Sequence, residues 1–305
     1  MEFATLIEKM AIFVAMMVVG YICSRKGVTD KAYTRTTSNL VINVFMFATI
    51  LKSALSTESE LRLADLAVSF LVLSLTIVFC FVVGRTATKL FRIDRDHAVL
   101  FELLIAVSNT MFIGVPVAQE ILGAMSVFYI SLSNIPFNVL LYSYGMWLLK
   151  GGGSVKFNPR DLLSSPLIAS VLALLIFLIK PPIPGVLREL IDAMSGATMP
   201  LSMFVIGTAL GSVSLSDAFR NKKLYLSSFT RLIVAPLLVA LLTGLLPLDP
   251  VLRMTCIILA ACPSAVLVSV LCIQFDKDYI FASEGGLQST ALSMLTIPLI
   301  VSLLA

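Results

Sequence analysis

The sequence predicts an all-α membrane protein: ten transmembrane helices forming two inverted five-helix repeats, with the fourth and ninth spans interrupted. Three observations carry that expectation. The 305 residues are 58% hydrophobic and only 13% charged, with a mean hydropathy of +1.00, where a soluble domain carries roughly 25% charged residues. Apolar runs recur from end to end, each near the length of about 20 residues that a hydrocarbon core requires. Two of these runs are broken near their middles by Pro or Gly, in SNTMFIGVPVAQE (108–120) and ACPSAV (261–266).

In chain order, the first run, 3–23, is as long as a span and has no A-x-A-like site after it, so it reads as a helix rather than a removed leader. SRKGVTDKAYTR (24–35) ends it, and the second span follows at 38–55. The third, 63–84, ends in GRTATKLFRIDRD (84–96). The fourth, 97–123, holds Asn109, Gly114 and Pro116 where a plain span would be apolar. Pro removes a backbone donor and clashes one turn back, and a membrane interior offers no water to repair the damage. The fifth span is 125–149 and the sixth 162–180, with PPIPG (181–185) as a short outer loop before the seventh, 189–211. SDAFRNKK (216–223) precedes the eighth at 224–246; the ninth, 251–275, carries the second interruption, and the tenth is 279–304.

Loop charges set the orientation, because Lys and Arg are retained on the cytoplasmic side. The loops after spans 1, 3, 5, 7 and 9 carry fifteen Lys and Arg; the intervening loops carry only Lys52, Arg62, Lys180 and Arg188. Both termini are therefore expected outside. The Gly/Ser-rich KGGGSVKFNPRD (150–161) reads as a cytoplasmic linker between a first repeat, 1–149, and a second, 162–305. Five spans per half is odd, so the second half enters the membrane from the opposite side, the inverted-repeat plan of many secondary transporters. Weak echoes agree: VLFELLIAVSNT (99–110) with VLRMTCIILAACPS (251–264), and MFATILKSAL (46–55) with MPLSMFVIGTAL (199–210).

The same residues argue against other classes. The five cysteines are scattered through apolar segments without metal-ligand spacing and read as small buried hydrophobes. The net charge of +4 comes from loop lysines and arginines and is not a nucleic-acid signal. No phosphate loop occurs, and the one histidine, His97, sits at the membrane edge; no enzyme chemistry and no cofactor are expected. A channel would need a continuous polar stripe, and the polar residues here are isolated.

Four stretches together resemble the auxin efflux carrier family, which includes bacterial malate- and malonate-permease-like members and the plant PIN carriers. They are SNTMFIGVPV (108–117), ATMPLSMFVIGTAL (197–210), RLIVAPLL (231–238) and ACPSAV…STALSMLTIPL (261–299). The resemblance runs over nearly the whole chain. It implies a fold similar to bile-acid-type sodium symporters, in which the interrupted spans cross near the midplane. Spans 1, 2, 6 and 7 would form a scaffold, and spans 3–5 and 8–10 a moving transport domain. It also implies small organic anions, typically carboxylates, as cargo. One departure is Phe47, where relatives often carry a mid-helix Pro; the seventh span keeps Pro200.

A broken helix suits an anion, because its restart leaves free N–H groups with a partial positive charge at midplane. A plain kink is the simpler alternative for either span taken alone. The expected substrate residues are Asn109 first, with Ser108 and Thr110, then Gly114 and Pro116 at the first break, Pro263 and Ser264 at the second, and Asn43 and Ser202 from the scaffold. Candidates for ion coupling are Glu284 and Gln288, one turn apart, together with Glu102 and Arg231. Glu102 suits an interfacial or a proton role. Arg231 would snorkel to the inner surface or pair with Glu102. Asn134 and Asn138 share a face, and helix–helix hydrogen bonding explains them equally well. Expected partners are a small organic anion, H⁺ or Na⁺, the lipid bilayer of a bacterial inner membrane and, as an assembly, a homodimer, with no nucleic acid. A sodium-coupled bile-acid-type symporter is the nearest alternative, ahead of an anion channel or an intramembrane enzyme.

Overall fold

The computed structural model describes residues 3–57, 62–151, 164–212 and 215–304; the linker read at 150–161 lies, from 152 onward, outside the described residues. Every regular element among the described residues is helical. In chain order these are α1 (Phe3–Arg25), α2 (Ala32–Ser56), α3 (Leu63–Leu90), α4 (Arg95–Ala106), α5 (Thr110–Leu122), α6 (Ala124–Leu149), α7 (Ser165–Ile179), α8 (Gly185–Gly211), α9 (Leu215–Ala218), α10 (Lys222–Gly244), α11 (Pro250–Ala261), α12 (Leu267–Gln274) and α13 (Tyr279–Leu304). Six of them, α2, α3, α6, α8, α10 and α13, are long and apolar enough to cross a membrane, and α5, α7 and α11 are shorter apolar helices.

Several ends fall where local chemistry puts them rather than where hydropathy suggested. α2 starts well before residue 38, because Asp30 caps it, its carboxylate accepting from the Tyr33 N–H at 2.6 Å. α3 runs on to Leu90, so most of GRTATKLFRIDRD is helix; the turn comes only where Arg92 adopts a positive φ of 50°. α10 begins behind Asn221, whose side chain accepts from the Lys223 N–H, and α11 behind Asp249, which accepts from the Leu252 N–H. PPIPG is non-helical, as its prolines demand, and α8 resumes directly after Pro184.

Among the described residues four helices contain one widened, π-type turn, at Val41–Phe45, Thr110–Gly114, Leu141–Gly145 and Thr230–Val234. Two of these have an evident cause. Pro116 and Pro236 each stand at the second position of the regular helix that follows. A wider turn relieves the clash of the Pro ring with the carbonyl one turn back.

The chain forms two compact units. The first comprises Met1–Phe70, Met111–Ile135 and Leu163–Val213; the second comprises Leu71–Thr110, Pro136–Leu162 and Ser214–Ala305. In unit 1, α1 and α8 pack with their backbones in near contact. A Cβ at Gly20 would collide with the Phe204 carbonyl, and one at Gly207 with the Met17 carbonyl. Small residues let membrane helices approach this closely, where apolar burial gives no driving force. α8 is tied to α2 by Thr49 and Thr198, hydroxyl to hydroxyl at 2.6 Å, and by Lys52 to Asp192 at 3.1 Å. Unit 2 is built around α4, whose Leu100, Leu103 and Leu104 sit in one apolar core with Leu141, Leu224, Val268, Leu271 and Phe281.

Candidate functional site

Unit 2 contains the breaks that follow α4 and α11, while the marked stretch 108–120 belongs to unit 1 from Met111 onward. α4 ends at Ala106, and Val107 turns to an extended conformation (φ −94°, ψ 106°); α11 ends at Ala261, and Cys262 does the same (φ −60°, ψ 143°). The two short extended stretches meet as an isolated antiparallel bridge, Ser108 opposite Ser264. The Asn109 N–H donates to the Pro263 carbonyl at 2.8 Å, and the Ala265 N–H donates to the Val107 carbonyl at 2.9 Å. Ser264 is pinned further: its hydroxyl donates to the Leu104 carbonyl at 2.5 Å, and its N–H donates to the Ser289 hydroxyl at 3.1 Å.

The carbonyl ends of both interrupted helices converge on Arg231. Its Nη1 donates to the Ile105 carbonyl at 2.8 Å, Nη2 to the Leu259 carbonyl at 2.8 Å, and Nε to the Cys262 carbonyl at 2.7 Å. Arg231 is fully buried. This corrects the expectation that it snorkels to the inner surface: interrupted helix ends leave unpaired carbonyls that a buried guanidinium satisfies. Nor does it pair with Glu102. That carboxylate, also fully buried, accepts from Arg85 Nη1 at 3.1 Å and from the Tyr144 hydroxyl at 2.7 Å.

Asn109 differs from its neighbours. It is 6% exposed, its backbone N–H is committed to Pro263, and its side-chain amide makes no hydrogen bond with the described residues. The side-chain atoms fully buried without a partner among the described residues are the hydroxyls of Thr29, Ser195, Ser202 and Thr296, so the Asn109 amide keeps a small accessible surface through which a ligand can reach it. Thr110 is buried beside it and Ser108 is half-buried.

The remaining expected residues divide between the units. Gly114 and Pro116 lie in unit 1, closing the wide turn and opening the regular part of α5. Asn43, also in unit 1, is exposed in the wide turn of α2 and donates to the Asn39 carbonyl. Ser202 is fully buried in unit 1, and its hydroxyl has no hydrogen-bond partner among the described residues. In unit 2, Gln288 accepts from the Ser228 hydroxyl at 3.0 Å and donates to the Ala218 carbonyl at 3.1 Å, which makes it a tie between α13, α10 and α9. Glu284 is half-buried one turn earlier on α13. Asn134 donates to the Ser170 hydroxyl at 3.3 Å inside unit 1, as helix–helix hydrogen bonding predicts. His97 lies in an ion cluster at the start of α4, with Asp94, Asp278 and Lys223. Hydrogen bonds from Lys223 and then His97 hold the Asp94 carboxyl well below the usual carboxylate range.

Sequence reasoning missed Ser289, Arg85 and Tyr144. Ser289 is one of many small polar residues in α13, and nothing local distinguishes it. Arg85 was assigned to a loop because α3 runs longer than its apolar core.

The chain is similar to known membrane transport proteins. A family model described as "Membrane transport protein" matches residues 5–161 and 153–301. An uncharacterized transporter of Methanothermobacter thermautotrophicus is 26% identical over 297 residues, covering 93% of each chain. An uncharacterized transporter of Methanocaldococcus jannaschii is 24% identical over 300 residues, covering 94% of this chain and 95% of the relative. The chain belongs to this auxin efflux carrier-like membrane transport family, whose members are transporters and not enzymes.

Proposed function

We propose that this membrane transport protein is a secondary carrier of a small organic anion, auxin- or malate-like, working by alternating access with elevator-type motion. The observation that carries the reading is Asn109: a nine-tenths-buried amide with no partner among the described residues, at the point where two interrupted helices meet. The carbonyl side of that meeting point is occupied by Arg231 and Ser264. What the break offers a ligand is therefore donors, namely the Asn109 amide and the N–H groups where helix resumes, and donors suit a carboxylate. Pro263 and Ser264 shape the second strand of the site, with Ser108 and Thr110 flanking Asn109. Gly114 and Pro116 open the regular part of α5, and Asn43 in span 2 and Ser202 in span 7 belong to the same proposed set of substrate residues.

The wider plan belongs to the same proposal: ten spans in two inverted repeats, 1–149 and 162–305, both termini outside, in a bacterial inner membrane. The scaffold comes from spans 1, 2, 6 and 7, the moving part from spans 3–5 and 8–10, in a homodimer. Proton coupling would run through Glu102 or Glu284, both on helices of unit 2; Gln288 and Arg231 are committed to structural hydrogen bonds. Uptake into proteoliposomes over a panel of radiolabelled mono- and dicarboxylates, with imposed proton or sodium gradients, tests the reading. Saturable uptake of at least one carboxylate is expected. Uptake of none under any gradient, from protein shown to be folded, would contradict it.

A further inference from the structure

Arg231 places a cation deep inside unit 2, and its surroundings indicate what the charge is for. The residue is fully buried, and no carboxylate among the described residues lies within ion-pair distance of it. A guanidinium in a low-dielectric interior is strongly unfavourable unless something of opposite polarity faces it. What faces it is backbone: the carbonyls of Ile105, Leu259 and Cys262, with the Cys80 thiol beside the guanidinium. Ile105 lies in the last turn of α4, Leu259 in the last turn of α11, and Cys262 is the residue at which α11 stops.

Each helix C-terminus carries about half a negative charge. Two such ends together offset about one positive charge, which is what one guanidinium supplies. We infer that Arg231 is a shared C-terminal cap, a single cation that neutralises the ends of both interrupted helices and fixes the spacing at which the Ser108 and Ser264 stretches pair. The planar fork of Arg suits this task, since three N–H directions from one rigid group reach carbonyls on two separate helices. The wide turn at Thr230–Val234, with Pro236 two residues beyond it, is the local feature that carries the residue.

One functional consequence rests on the carrier reading. With both carbonyl ends offset, the field beside Asn109 is that of N–H groups alone, which favours an anion. Arg231 is thus a positioning residue that acts through the backbone without touching the cargo.

Amide exchange tests the cap without needing a cargo, so a negative result would leave the carrier reading standing. Full-length Arg231→Lys and Arg231→Met proteins, purified in detergent, would be compared with the unmodified protein by hydrogen–deuterium exchange in peptides covering 104–110 and 259–266. The two replacements have similar length and differ in charge. Met is expected to accelerate exchange in both peptides about tenfold or more, as a charge-assisted hydrogen-bond set is lost. Lys is expected to fall between Met and the unmodified protein, because it restores the cation but not the three-way fork. Folding of the Lys variant alone would support the cap equally. Equal exchange in the two variants, or failure of Arg231→Lys to fold, would overturn it.

Discussion

The two units hold their helices together by opposite means. In unit 1 the closest helix pair, α1 and α8, meets backbone to backbone at Gly20 and Gly207, with polar ties such as Thr49 to Thr198 at the margins. In unit 2 the central ties are long-range and polar: Arg231 to three carbonyls, Ser264 to Leu104 and Ser289, Gln288 to Ser228 and Ala218. The difference follows from the backbone each unit contains. Regular helices satisfy their own hydrogen bonds and need only a smooth surface to pack on. Interrupted helices bring unpaired N–H and C=O groups into a medium without water, and side chains must satisfy them. Polar density in unit 2 is a requirement of its irregular backbone, and Asn109 stands out because no such requirement explains it.

Glycine replacements test this contrast most severely. Gly207→Ala would drive a Cβ into the Met17 carbonyl, which the α1 backbone cannot move away, whereas Gly285→Ala in unit 2 would meet side-chain tips, Leu104 at 2.5 Å and Leu224 at 3.1 Å. Gly207→Ala should cost about 3 kcal/mol or abolish folding, and Gly285→Ala about 1 kcal/mol or less. Thermal unfolding followed by size-exclusion chromatography separates them, and similar losses would remove the distinction.

Ser264→Ala comes next. It strips the Leu104 carbonyl of its donor while leaving both the backbone bridge and Arg231 in place. A loss of about 1–2 kcal/mol is expected, together with faster amide exchange around 104–110. No change in either would mean that the backbone bridge and Arg231 hold the crossing without the Ser264 hydroxyl.

The smallest effect is expected at the surface. Asp94→Asn removes the hub of the Lys223–His97 cluster and should cost below about 1 kcal/mol at low salt, less at high salt. Because the folded-state pKa of Asp94 is depressed, the cluster's contribution is present above the unfolded carboxylate pKa. It is lost as pH falls through the lower folded value. Melting curves of the two proteins should therefore differ at neutral pH and converge only in strong acid.

Much of unit 2's backbone irregularity was legible in the sequence. Pro263 marks the second interruption, and α11 stops two residues before it; Gly114 and Pro116 signal the first only loosely, because α4 already stops at Ala106 and the pair lies inside α5, in unit 1. Helix ends set by Asp30 and Asn221 were less legible, because capping residues in polar stretches extend helices beyond the apolar window that hydropathy detects. Arg231 was misplaced for a deeper reason. A charged residue two turns inside an apolar run looks the same whether its side chain turns to the surface or to the core. Only the carbonyl ends arriving from α4 and α11, more than 25 residues away in sequence on either side, decide it. Pro236 in RLIVAPLL was the available clue, since a Pro inside an apolar run signals local irregularity and the wide turn that carries Arg231 directly precedes it. Asn109 was legible as a candidate from its setting in SNT, but its lack of a partner became visible only in three dimensions.

The central claim is that Asn109 serves a ligand while the other buried amides serve the fold, and two parallel substitutions test it most directly. Asn109→Ala and Asn134→Ala would each be reconstituted and assayed for saturable carboxylate uptake, with thermal stability measured on the same preparations. Asn134 donates to Ser170 inside unit 1, so its loss should cost about 1 kcal/mol of stability and leave uptake within a fewfold of the unmodified protein. Asn109→Ala should melt at an unchanged or higher temperature and lose saturable uptake. Retained uptake in Asn109→Ala, or a stability loss matching that of Asn134→Ala, would contradict the account.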